Sequence, residues 1–152
     1  VSSQRRRYIP MAFLPPEIFV SNKLWVLPGG GLYEFGVLES QVHNAWTRIV
    51  TGRLKSDYQY SGAVVYNNFV WPQSTHEQRK TIEYYAQAVL DIRDNYSNKS
   101  LADLYDPDKM PNELLTAHRA LDKAVELAYG IDSNGDEEKI VRYLFELYAA
   151  AN

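Results

Sequence analysis

Residues 75–90 read THEQRKTIEYYAQAVL, and in this stretch one kind of structure gives way to another. Thr75 followed three residues later by Gln78 has the form of a capping box, in which each side chain hydrogen-bonds the other residue's backbone N–H. Behind it, Ile82, Tyr85, Ala86, Val89 and Leu90 recur at the spacing of one helix face. The same period continues downstream. Leu114, Ala117, Leu121, Val125 and Ala128 align over residues 112–129, with Gly130 placed as a C-cap, and Ile140, Leu144, Leu147 and Tyr148 align over 136–150. Three apolar stripes are buried most economically against one another, so a small helical bundle is expected over residues 73–152.

Upstream the period shortens to two. Apolar and β-branched runs at residues 8–14, 24–27 and 63–70 are broken by Pro15-Pro16, by Pro28 with Gly29-Gly30-Gly31, and by Trp71-Pro72, and they read as short strands. Between them lies a helical pattern at 40–51. Val42, Ala45, Trp46, Ile49 and Val50 share one face, Gln41, Asn44, Arg48 and Thr51 the other, and Gly52 ends it. The expected fold class is therefore α+β. A β-rich part of short strands with one amphipathic helix occupies residues 1–72, and the helical bundle follows as a second domain.

Charge divides the same way. Residues 1–74 hold seven Lys and Arg against four acids, a net of +3, whereas the rest holds nine against fifteen, a net of -6. Such asymmetry points to two functional units, the first suited to a polyanion. The absence of cysteine excludes disulfides and thiolate chemistry from the chain and suits a cytoplasmic protein. No run of about 18 apolar residues is present for a membrane span, and the start lacks the apolar region of a signal peptide. The chain begins without Met, from which a fragment of a longer protein is expected.

No catalytic or cofactor machinery can be assembled. The three glycines at 29–31 lack the spacing of a dinucleotide loop and follow Pro28. Tyr66-Asn67-Asn68-Phe69 lacks the prolines of an Asn-Pro-Pro-Tyr loop, and a strand end is expected there. Asp132-Ser133-Asn134-Gly135-Asp136 opens like a calcium loop, but Glu137 stands where glycine is required and Tyr143 where a bidentate glutamate is required, which leaves helix capping. His43, His76 and His118 share no ligand spacing, so no metal site is expected, and His43 reads as a surface residue.

The most informative segment is GRLKSDYQYS, residues 52–61. If it is extended, Lys55, Asp57 and Gln59 lie on one side and Ser56, Tyr58 and Tyr60 on the other, because strand side chains alternate. Lysine donates to guanine, aspartate accepts from cytosine N4 and glutamine pairs bidentately with adenine, so the first row is equipped to read base edges. A polar hairpin face with a Lys55–Asp57 contact accounts for the same pattern. Arg5-Arg6-Arg7, Arg48 and Arg53 suit phosphates, with a solubilising role for the Arg5–Arg7 run as the alternative.

SSQRRRYIPMAFL at 2–14, the run from Leu32 to Ser61, VVYNNFVWP at 64–72 and SLADLYDPDKMPNELLTAHRALDKAVELAYG at 100–130 together resemble the C-terminal region of MmeI-like enzymes. These are fused type II restriction-modification proteins and their methyltransferase relatives. The resemblance implies a parent that transfers a methyl group from S-adenosylmethionine to adenine N6 in double-stranded DNA, with catalytic and cofactor motifs upstream and, in some relatives, an N-terminal nuclease. It implies that residues 1–72 end the target-recognition domain and that 73–152 form a C-terminal helical domain. Lys55, Asp57 and Gln59 are then the expected base-reading residues. Arg5, Arg6, Arg7, Arg48, Arg53, Ser56 and Tyr60 are the expected DNA-backbone contacts. An alternative is an interaction module that docks on the upstream methyltransferase domain of the same polypeptide without reading DNA.

Overall fold

Thr75 caps a helix as its spacing requires. Its hydroxyl accepts from the Gln78 amide at 3.2 Å while Gln78 Oε1 accepts from the Thr75 amide at 2.9 Å. The computed structural model describes residues 8–21, 24–51 and 62–152. In it six α-helices follow in order: α1 (Leu32–Glu39), α2 (Gln41–Val50), α3 (His76–Asp94), α4 (Leu101–Leu104), α5 (Asn112–Tyr129) and α6 (Glu137–Ala151). A single π-helical turn, Gly62–Tyr66, stands between α2 and α3.

The described residues contain no β-strand, so the expected α+β class with a β-rich N-terminal part is corrected to an all-helical arrangement. The reason lies in where the backbone groups find partners. Along residues 8–11 the Ile9 amide donates to Asn44 Oδ1 at 2.8 Å, the Met11 amide to Glu39 Oε2 at 3.0 Å, and the Met11 carbonyl accepts from Arg93 Nη1 at 2.6 Å. Helix side chains thus do for this segment what a neighbouring strand does in a sheet. The expected strand at 63–70 is instead the π-helical turn, followed by a tight turn in which the Phe69 amide donates to the Tyr66 carbonyl at 3.1 Å. The expected strand at 24–27 has no ladder partner among the described residues.

Helix α1 is an addition to the sequence reading. Its N-terminus carries the Gly31–Glu34 pair, with the Gly31 amide donating to Glu34 Oε2 at 2.9 Å, and Ser40 separates it from α2. Helix α1 packs on α3, α3 on α5, and α2 on α6. Gly36 is the point of closest approach, because a Cβ there would stand 2.6 Å from Ile82 Cγ2 and 3.4 Å from Leu121 Cδ1. Ile82, Ala86 and Val89 of α3 join Leu114, Leu121 and Val125 of α5 and Ile140 and Leu144 of α6 in one core, which also takes in Val37, Val42, Ala45 and Trp46.

Helix α2 is less amphipathic than its pattern predicts. His43, Asn44 and Thr47 are buried together with Val42, Ala45 and Trp46, whereas Ile49, assigned to the apolar face, is exposed. Gly130 closes α5 in the left-handed region at φ 75°, with the Ile131 amide reaching back to the Glu126 carbonyl at 3.0 Å. The sequence that imitates a calcium loop caps α6 instead: Asp136 Oδ1 accepts from the Glu138 amide at 3.0 Å. No helix of the described residues is long and apolar enough to cross a membrane.

Candidate nucleic-acid interface

The expected base-reading residues Lys55, Asp57 and Gln59 lie outside the described residues, as do Arg5, Arg6, Arg7, Arg53, Ser56 and Tyr60. What the fold shows is how the flanks of those segments are held. Helix α2 delivers the chain to residue 52, and its last turn is tied by side chains as well as backbone. Thr47 Oγ1 donates to the His43 carbonyl at 2.9 Å and Thr51 Oγ1 to the Thr47 carbonyl at 2.7 Å. The chain is taken up again by the same helix, where Trp46 Nε1 donates to the Val65 carbonyl in the π-helical turn at 3.0 Å. Both flanks of residues 52–61 are therefore fastened to α2.

Arg48 is the one expected DNA-backbone residue among those described. Its Nη1 donates to Glu137 Oε2 of α6 at 2.7 Å, and its side chain is 23% exposed. That pairing ties the last turn of α2 to the first turn of α6.

The segment that follows Arg5-Arg6-Arg7 is fastened by a buried polar network contributed by four helices and the residue after α4. Tyr8 donates its hydroxyl to Asp122 Oδ2 at 2.5 Å, and Asp122 Oδ1 accepts the Gln41 amide at 2.8 Å at the start of α2. Glu39 receives Arg93 in a buried ion pair, and Arg93 Nε also donates to the Tyr105 hydroxyl at 2.8 Å. The Tyr105 hydroxyl also lies 2.6 Å from His118 Nε2. His118 Nδ1 is buried without a hydrogen-bond partner, and the ring stacks on Tyr8 with centroids 4.2 Å apart.

Burial sets the ionisation of this network. Removal from water raises the Glu39 carboxyl to about 7, opposed by the Arg93 charge and by the Met11 amide. The same cause holds the Tyr105 hydroxyl well above its ordinary value. His118 is lowered to about 3 by burial and by the charge of Arg93, and His43 to about 4 by burial. Both rings are neutral. His43, expected at the surface, is in fact fully buried, with Nδ1 donating to the Leu38 carbonyl at 2.9 Å.

Sequence reasoning passed over Glu39, Arg93, Tyr105, His118 and Asp122. A signal was present for two of them. Arg93 continues the series Ile82, Ala86, Val89, and His118 falls between Leu114 and Leu121, so each occupies a core position of its helix. No group of three or more metal-ligating side chains occurs among the described residues.

The described residues thus hold the chain firmly next to two segments, 1–7 before α1 in the sequence and 52–61 after α2, and contain no assembled reaction centre. Comparison with known proteins places it. The family model for the MmeI target recognition domain matches residues 1–73, and that for the MmeI C-terminal domain matches residues 70–152; the chain belongs to the MmeI family. It is 38% identical over 148 residues to DNA methyltransferase A of Bacillus subtilis (strain 168), covering 97% of this chain and 17% of that protein. It also superposes on the solved structure of the Type IIL restriction-modification enzyme MmeI in complex with DNA. There the TM-score is 0.94 at 46% identity, covering 98% of this chain and 20% of that one. The chain therefore spans about a fifth of the length of these relatives.

Proposed function

We propose that the chain is the DNA-reading and C-terminal part of a site-specific, S-adenosylmethionine-dependent DNA adenine-N6 methyltransferase acting in the cytoplasm. The observation that carries this reading is the pair of family matches, one to a target recognition domain and one to a C-terminal domain, which together span residues 1–152. Residues 1–72 serve recognition and 73–152 support them.

Lys55, Asp57 and Gln59 read base edges in the major groove, because their donors and acceptors complement different bases. Arg5, Arg6, Arg7, Arg53, Ser56 and Tyr60 hold the sugar–phosphate backbone and set register. Arg48 joins them with its guanidinium already shared with Glu137, so it contributes less to affinity than the run at 5–7. Gly31, the last of the three consecutive glycines, has its amide committed to Glu34 at the start of α1. S-adenosylmethionine and the catalytic residues belong to the upstream methyltransferase domain of the parent polypeptide.

The test is methylome sequencing of cells carrying the full-length protein with Lys55→Ala, Asp57→Ala and Gln59→Ala. Each lost bidentate contact is expected to reduce discrimination by about 1–3 kcal/mol at one position of the site. An unchanged site in the triple variant overturns the assignment. A second reading, a module that only supports the parent, draws on the core that α1 and α2 share with α3, α5 and α6. On that reading Arg6→Ala leaves DNA affinity and its salt dependence unchanged, whereas a phosphate contact makes both fall.

A further inference from the structure

Eight of the thirteen exposed large apolar side chains among the described residues fall within residues 13–26. Phe19 is fully exposed at 101%, and Phe13, Leu14 and Ile18 stand at 49%, 50% and 51%. Only Glu17 and Lys23 carry charge in that interval. The base of this ribbon is fixed. Arg93 grips the Met11 carbonyl at 2.6 Å, the Phe13 ring lies against Phe35 of α1 with centroids 5.4 Å apart, and Trp25 lies against Tyr66 of the π-helical turn at 4.7 Å.

A concentration of apolar side chains on a fixed base marks a surface that another body covers. Its near lack of charge suits a protein partner, since phosphates are held by Lys and Arg. About four-fifths of the length of each of the two relatives lies outside the part matched here, which supplies such a body within one polypeptide. An intramolecular contact also avoids the entropy lost when two molecules associate. We infer that residues 13–20 and 24–26 form a docking surface for an apolar face of a further part of the same polypeptide. The inference rests on the reading of this chain as one portion of a longer methyltransferase.

Hydroxyl-radical footprinting of the full-length protein tests it, with Tyr84, 71% exposed on α3, as the internal reference. Phe19 is expected to oxidise several-fold more slowly than Tyr84, without DNA and independently of protein concentration. Oxidation of Phe19 as fast as Tyr84 overturns the inference. Protection that appears only with DNA assigns the ribbon to nucleic acid, and protection that grows with concentration assigns it to a second copy; each overturns it too. As a second measurement, Phe19→Asp should lower the Tm of the full-length protein while Tyr84→Asp does not, and equal effects also overturn it. Site-specific methyl transfer by the unmodified protein is assayed separately. Its absence sinks the methyltransferase reading and leaves the footprint interpretable, whereas an exposed Phe19 in an active enzyme sinks the docking surface alone.

Discussion

Glu39, His43 and His118 are buried within one polar interior, and their titrations oppose one another. The two histidines have folded values near 4 and 3, against 6.5 as the ordinary value. Between those limits the unfolded chain binds more protons, so the stabilisation they provide is complete above pH 6.5 and is lost as pH falls toward 4. For His43 alone the full effect is about 3 kcal/mol. Glu39 acts in the other direction. Its folded value of about 7 exceeds the ordinary 4.5, so the folded state holds the extra proton between those limits and gains stability as pH falls through them. Two histidines outweigh one carboxyl, and the Tm is expected to fall from pH 6.5 to pH 5. Replacing His43 by Gln, which keeps a donor for the Leu38 carbonyl, should shallow that fall. A Tm that is constant or higher at pH 5 contradicts this balance.

At the scale of the element, α1 depends on a residue that intrinsic propensity disfavours. Gly36 costs α1 up to about 1 kcal/mol relative to Ala, and in exchange lets it approach α3 until a Cβ would meet Ile82 at 2.6 Å. Gly36→Ala is therefore expected to destabilise the fold by about 1–2 kcal/mol, the overpacking cost exceeding the propensity gain, as urea unfolding will show. Equal or greater stability in the variant removes the close-approach argument. The same glycine explains why α1 was not legible in the sequence, since it sits within LYEFGVLE where a helix pattern needs an uninterrupted stripe. Helices α3, α5 and α6 were legible because their stripes are long and their caps, Thr75, Gly130 and Asp136, are of the residue types those positions favour. The segments at 8–14 and 63–70 misled for a different reason. Their apolar, β-branched character reflects burial of Tyr8, Val65 and Phe69, and which neighbour satisfies their backbone is a tertiary matter that local pattern does not encode. The proposed recognition residues were legible only as donor and acceptor types, since spacing alone also describes a polar hairpin.

Across the whole molecule, the charge boundary near residue 74 is no boundary in the core. The stretch leading into α3 is anchored by Tyr129, which donates to the Val70 carbonyl at 2.6 Å, and by Tyr33, whose hydroxyl lies 2.8 Å from Ser74 Oγ. Helices α1 and α2 bury their surfaces against α3, α5 and α6. Deleting residues 74–152 from the full-length protein should therefore do more than remove an appendage: residues 8–51 lose the partners of Gly36, Glu39 and Trp46, and cleavage within them by a trace of protease should accelerate by an order of magnitude or more. Unchanged resistance would show that the N-terminal part needs no support. The double attachment of residues 52–61 to α2 has a consequence for how such proteins diversify. From Trp46 to Thr51 the helix rises by about 7.5 Å, and this one rigid span carries both fastenings. The flanks are held by a single ruler rather than by two bodies that could drift apart, so on the proposed reading the side chains between them can be exchanged like type in a fixed composing stick, altering the text without reshaping the frame.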